Sequence, residues 1–217
     1  MRRIAAVALA CWGLAAVAAA QAPAAGRLEL DAGVVWTASN GLGAASADLT
    51  RNPSTGPGPF TLFETRSELG GAVGAHATLG IWITPRWSIE GDVQFSRPTL
   101  RTHVSGDAEG APDVTATVPL SQYLIGGSAV FQWSPGRRTV PYLAAGASYV
   151  RQLEHDDQLL QTGRELHVGG GVRVWFSSAH RIGLRAAARV SFPHGGISFQ
   201  SGHHPVASGG LSVAYRF

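Results

Sequence analysis

The sequence predicts an all-β fold: an eight-stranded antiparallel up-and-down transmembrane β-barrel, preceded by a cleaved signal peptide. Three observations predict it. Beyond the first 20 residues, apolar and polar residues alternate with period two, the pattern of strands with one greasy and one wet face. The connections between these segments are alternately short and long. After the leader no run of 18 apolar residues remains, so a membrane span made of helix is excluded.

The chain opens "MRRIAAVALACWGLAAVAAAQ". Arg2 and Arg3 form a charged start, an apolar run follows from Ile4, and Ala18-Ala19-Ala20 offers a small-residue cleavage site. This divides the chain into a signal peptide over residues 1–20 and one domain over residues 21–217. Cys11 lies inside the apolar run in "VALAC", a poor lipidation site, and it is the one cysteine, so disulfides do not hold the mature domain together.

The strands follow in order. In "RLELDAGVVWTAS", Leu28, Leu30, Ala32, Val34 and Trp36 share one face, opposite Glu29, Asp31, Gly33 and Thr37. "AVGAHATLGIWIT" sets Val73, Ala75, Ala77, Leu79, Ile81 and Ile83 against Gly74, His76, Thr78 and Gly80. "RWSIEGDVQFS" sets Trp87, Ile89, Val93 and Phe95 against Ser88, Glu90, Asp92, Gln94 and Ser96. "SQYLIGGSAVFQW" aligns Tyr123, Ile125, Ala129, Phe131 and Trp133. "TVPYLAAGASYVR" is apolar on both faces, so alternation leaves its orientation open. "RELHVGGGVRVWF" opposes Leu166, Val168, Val172, Val174 and Phe176 to His167, Gly169, Gly171 and Arg173. "RIGLRAAARVSF" opposes Ile182, Leu184, Ala186, Ala188, Val190 and Phe192 to Arg185, Arg189 and Ser191, and "GLSVAYRF" closes the series. Short turns fall near Pro85, at 134–138 and at 177–181; long polar connections run over about 40–70, 102–114, 153–163 and 194–205. Three short and four long connections fit eight strands with both termini at the short-turn end.

The same alternation would suit a soluble barrel with its apolar face inward. Three features favour the opposite sense. The charged face is sparse and rich in Gly, Ala and Ser, which suits a narrow interior. Trp36, Trp87, Trp133, Tyr215 and Phe217 lie near strand ends on the apolar face, as interfacial girdles do. The third feature is the terminus, where Leu211, Val213, Tyr215 and the final Phe217 alternate with Ser212, Ala214 and Arg216.

That terminus resembles the last-strand signal of bacterial outer-membrane proteins, and the chain as a whole resembles the small eight-stranded barrels of the OmpA/OmpX type and the porin-like outer-membrane β-barrel domain. The resemblance implies an integral protein of the bacterial outer membrane with both termini periplasmic. It implies contact with outer-membrane lipids and lipopolysaccharide. It also implies that Leu211, Val213, Tyr215 and Phe217 form an assembly signal read by the barrel-assembly machinery. A monomer is expected.

Composition narrows the function. The chain is 45% apolar and 14% charged, and all 17 basic residues are Arg. A net charge of +3 without a basic block excludes a nucleic-acid partner. Parity sends Glu29, Asp31, Glu90 and Asp92 into the lumen with Arg173, Arg185, Arg189 and Arg216. An unpaired buried charge costs several kcal/mol, so four acids facing four bases imply mutual pairing and a side-chain-filled lumen. Arg216 neighbours Glu29 and Asp31 where first and last strands meet.

No cofactor and no metal are called for. His194, Ser201, His203, His204 and Ser208 crowd the last long connection, but no acid supports them as a catalytic group, and adjacent His203 and His204 would point to opposite faces of a strand. "EHDD" at 154–157 lacks calcium-loop spacing. Arg97, Arg101, Arg151 and Arg164 fall near the long-loop ends of strands, where guanidinium groups can hold lipid phosphates. The expected function is structural or surface interaction, without catalysis. The alternatives are a narrow channel for small solutes or ions, and a lipid A-modifying enzyme.

Overall fold

The computed structural model describes residues 23–49, 60–154, 159–176, 181–195 and 205–217. The expected signal peptide lies outside them, as do Ser201, His203, His204 and residues 155–157 of the acidic loop.

Among the described residues twelve strands form: β1 (Leu28–Thr37), β2 (Asn40–Leu49), β3 (Phe60–Leu69), β4 (Ala72–Trp82), β5 (Trp87–Ser96), β6 (Thr99–Ser105), β7 (Val114–Pro119), β8 (Ser121–Gln132), β9 (Thr139–Leu153), β10 (Leu159–Trp175), β11 (Ile182–Gly195) and β12 (Val206–Arg216). Eight of them close a barrel in the order β1-β12-β11-β10-β9-β8-β5-β4, every neighbouring pair antiparallel. These are the eight alternating segments of the sequence. Closure removes every edge from the ladder, which a strand needs inside hydrocarbon.

The seam runs between β1 and β12. Leu30 pairs with Tyr215 and Val34 with Leu211 on the outside, while Glu29 pairs with Arg216 on the inside. The Phe217 amide donates to the Leu28 carbonyl at 3.0 Å, so the last residue is part of the ladder. Its ring meets Tyr215 edge-on at 4.9 Å. Leu28 and Phe217 therefore stand together at the end that carries the turns after β4, β8 and β10.

The apolar face is outside. Val73, Ile125, Leu166 and Leu211 are each 60% exposed or more. Aromatic rows mark both ends of this surface. Trp87, Phe131 and Trp133 meet in tilted and edge-on contacts at 5.0 and 5.2 Å toward the short-turn end, and Phe95 meets Tyr123 at 4.9 Å toward the long-loop end. The strand with two apolar faces, β9, is now oriented: Leu143 and Tyr149 look out, and Val140, Tyr142 and Val150 look in.

Two connections expected to be long polar loops carry strands at their two ends, with residues 106–113 of the second remaining a loop. Residues 40–49, 60–69, 99–105 and 114–119 build a second sheet, β2-β3-β6-β7. It continues the barrel wall beyond one side of the long-loop end. Backbone bonds from Gly70 to Thr99 (2.8 Å), Leu120 to Pro98 (2.9 Å) and Ala38 to Ala207 (2.9 Å) bridge the breaks. The pairing of β1 with β4 simply carries on into β2 with β3. Most collar side chains are exposed or half-buried on either face, so the greasy-wet alternation that reveals a spanning strand has no reason to exist there. A register shift between Gly41 and Gly43 turns Leu42 inward, and Leu42 is buried. β9 and β10 likewise reach Leu153 and start again at Leu159, which shortens a third expected loop.

The mature protein purified in detergent is expected to give a β-sheet circular dichroism spectrum and to change its gel mobility on boiling. A helical spectrum, or a monomer that stays in solution without detergent, contradicts the barrel.

Candidate functional site: a lumen in two storeys

Alternation directs one residue in two from every barrel strand into a space that eight strands leave only wide enough for side chains. The short-turn half of that space is filled by charge. All eight sequence-predicted charges point into the lumen, but they fall into two groups.

The lower group is tight. The Arg216 Nη2 lies 2.9 Å from Glu29 Oε2 across the seam. On its other oxygen Glu29 faces Arg173 Nε at 2.9 Å. Arg173 goes on to Glu90, Glu90 to Arg185 Nη2 at 2.8 Å, and Arg185 Nη1 to Asp31 at 2.7 Å. Three acids and three bases thus alternate along one chain of contacts joining β12, β1, β10, β5 and β11. Arg173 is 0% exposed. Aromatic rings wall the guanidinium groups. Arg216 lies 4.0 Å over Trp175, and Arg173 and Arg185 each stand 4.6 Å from the Tyr142 ring. Tyr142 also accepts from Arg185 Nε at 2.8 Å, and Trp82 Nε1 donates to Glu29 at 3.3 Å. Such backing replaces the water that isolated charges would need. Gly171 makes room for it, since a Cβ there would stand 2.8 Å from the Tyr142 hydroxyl.

The upper group is loose. Arg189 lies 3.8 Å from Asp92 and 3.7 Å from Glu165, and donates to Gln94 at 3.2 Å. Ser191 donates to Glu165 at 3.3 Å. Around this layer the lumen is not filled. A small pocket of about 100 Å³ holds His76 and His167 beneath Arg189. His167 spans Ser128 at 2.8 Å and Ser148 at 3.4 Å. Above Arg189 a chamber of about 360 Å³ occupies the long-loop half. The expected side-chain-filled lumen is therefore filled in one half only. Ser96, Ser191 and Ser208 are too short to meet across the upper barrel, while the collar adds Leu42 and Leu69 to its wall.

Four contributors were not singled out in the sequence. Glu165 shares the parity of His167, and Trp82 that of Gly80, so alternation alone could have found both. Tyr142 sits on the strand whose faces look alike. Trp175 follows the parity of Arg173.

On the outer surface, Arg151 pairs in register with Tyr123 and Thr162, and Arg164 with Tyr149 and His194. Arg97 lies 5.6 Å over Phe95. These three exposed arginines stand above the aromatic row, Arg97 just past the end of β5, Arg151 on β9 and Arg164 on β10. Arg101 does not join them: it belongs to the collar, opposite Glu68. Among the described residues no cluster of three or more His, Cys, Asp or Glu side chains could hold a metal ion.

A family model described as an outer membrane protein beta-barrel domain matches residues 5–217. Among solved structures, the outer membrane protein OprG from Pseudomonas aeruginosa superposes with a TM-score of 0.59 at 12% identity, covering 91% of this chain and 99% of that one. Neisserial surface protein A gives a TM-score of 0.50 at 20% identity, covering 87% and 95%. At these identities the likeness is one of fold. Comparison with curated protein sequences yields no match.

The tight group should behave as one coupled unit and the loose group as a separate, weaker one. Arg173→Ala takes one of two guanidinium partners from both Glu29 and Glu90 and is expected to cost about 3 kcal/mol of folding stability, measured by urea unfolding in lipid vesicles. Combining it with Glu90→Ala should cost less than the sum of the single changes. Arg189→Ala with Asp92→Ala should be closer to additive. Additivity in the tight group contradicts the pairing.

Proposed function

The chain belongs to the outer membrane protein β-barrel domain family, and from that premise we propose that it is a closed barrel acting at the cell surface rather than a pore or an enzyme. The six-charge chain across the short-turn half of the lumen carries this reading. A solute entering the chamber would have to separate Arg173 from both its acids to pass, leaving buried charges without partners. The collar and chamber, not a conduit, are then the working parts. Outer-membrane loops and their extensions are where such barrels meet ligands and partners.

In this reading the short-turn end, with both barrel termini, is periplasmic, and the collar stands outside the cell. Leu211, Val213, Tyr215 and Phe217 serve the barrel-assembly machinery. Their side chains face outward along the seam strand, where a reader could meet them before closure. A monomer suffices, because the barrel closes on its own strands.

The lipid partner follows from the outer surface. Arg97, Arg151 and Arg164 lie on one side of the barrel, above Phe95, Tyr123 and Tyr149. That is the level at which phosphate groups of lipopolysaccharide meet the hydrocarbon boundary, and guanidinium groups suit them. The catalytic alternative has less support. His194 is present at this end, but its register partner is Arg164 and not a serine.

Two outcomes test the proposal. Proteoliposomes carrying the protein should swell in sugars and amino acids no faster than empty ones; swelling at porin-like rates promotes the channel. Replacing Arg97, Arg151 and Arg164 together by Gln should lower the lipopolysaccharide retained on purification by about tenfold, on the order of 1.4 kcal/mol, while Arg101→Gln should change little. Equal losses in the two variants contradict the patch.

A further inference from the structure

The charges of the lumen do not balance in its upper storey. In the lower group Glu29, Asp31 and Glu90 meet Arg173, Arg185 and Arg216. In the upper group Asp92 and Glu165 share the single Arg189. Glu165 is 8% exposed, its nearest cation is 3.7 Å away, and its hydrogen bond from Ser191 is 3.3 Å long. In the lower group, by contrast, Glu29, Asp31 and Glu90 all have a guanidinium within 2.9 Å. A buried carboxylate so weakly compensated attracts a positive charge.

Both Glu165 and Arg189 line the chamber of about 360 Å³, within the size range of small-molecule pockets. The rest of its lining is amphipathic. Leu42, Leu69, Leu124 and Val150 supply apolar wall, and Gln94, Gln122 and Gln152 supply neutral hydrogen-bonding groups. Gln152 donates to Gln122 at 3.1 Å. Arg164 and His194 border the chamber too, from positions paired with each other on the outward register.

We propose that this chamber binds a small organic cation, an ammonium group carrying a short aliphatic body, with the charge against Glu165 and the body against Leu42, Leu69, Leu124 and Val150. The inference goes beyond the closed-barrel reading, because a chamber above the six-charge chain can hold a ligand whether or not the lower half conducts. Asp92, beneath Arg189, adds to the negative field. The cation supplies the charge that Arg189 alone does not. An anion drawn to Arg189 would lie against Glu165 in the chamber wall, with Asp92 beneath it, and a neutral molecule would leave Glu165 as it is.

The test uses the mature protein in detergent, with the side-chain amide signals of Gln94, Gln122 and Gln152 followed by NMR. The probes are butyltrimethylammonium, pentanoate, pentanol and sodium chloride. Saturable shifts with butyltrimethylammonium alone are expected. Glu165→Gln should weaken that binding about tenfold or more, and Arg189→Gln should strengthen it, because a repelling charge is lost. Both variants must keep the boiling-dependent gel mobility of the parent. Pentanoate binding as tight as the cation, sodium chloride reproducing the shifts, no saturable shift with any probe, or a Glu165→Gln protein that binds unchanged would each overturn the proposal.

Discussion

Arg173 stands where the structure has least freedom. It is buried in the centre of an eight-stranded barrel, between Glu29 and Glu90, with Tyr142 and Trp82 beside its guanidinium. A membrane surrounds the wall, so the outer face must be apolar and the polar residues have only the inside to go to. The inside is too narrow to hydrate them. What remains is mutual neutralisation, and the alternating chain from Arg216 to Asp31 is its form. Strand order, Gly171 beside the Tyr142 hydroxyl, and the seam pair Glu29–Arg216 all fit this requirement.

The constraint relaxes with distance from the short-turn end. Contacts below 3 Å give way to contacts near 3.8 Å at Arg189, and filled lumen gives way to a chamber. Packing by long arginines and indoles is replaced by serines and glutamines that leave space. Packed charge and open chamber thus occupy different halves of one barrel. The lower half is packed by side chains whose charges are paired. The upper half keeps a weakly compensated carboxylate, Glu165, and a collar that raises its wall on one side.

The barrel was legible because the membrane writes period two into every spanning strand. Trp87, Ile89, Val93 and Phe95 against Ser88, Glu90, Asp92 and Gln94 show it, and the charges that face inward were legible by the same parity. Their grouping was not. Glu29 meets Arg173 and Asp31 meets Arg185 across the lumen, and sequence distance says nothing about that pairing. β9 was ambiguous because small and apolar residues suit both its lipid face and its packed inner face. The collar strands were invisible for the converse reason: with most side chains exposed or half-buried on either face, "TLFETRSEL" needs no alternation to pair. Glu165 shows a simpler lesson, since its parity with His167 placed it inside from the start.

The central claim is that the paired charges are the seal. Single-molecule recording in planar bilayers tests it most directly, comparing the wild-type protein with the charge-neutral double variant Glu90→Ala with Arg173→Ala. The wild type should show no stable conductance steps, and the double variant should open small, discrete ones. Steady conductance by the wild type would contradict the account.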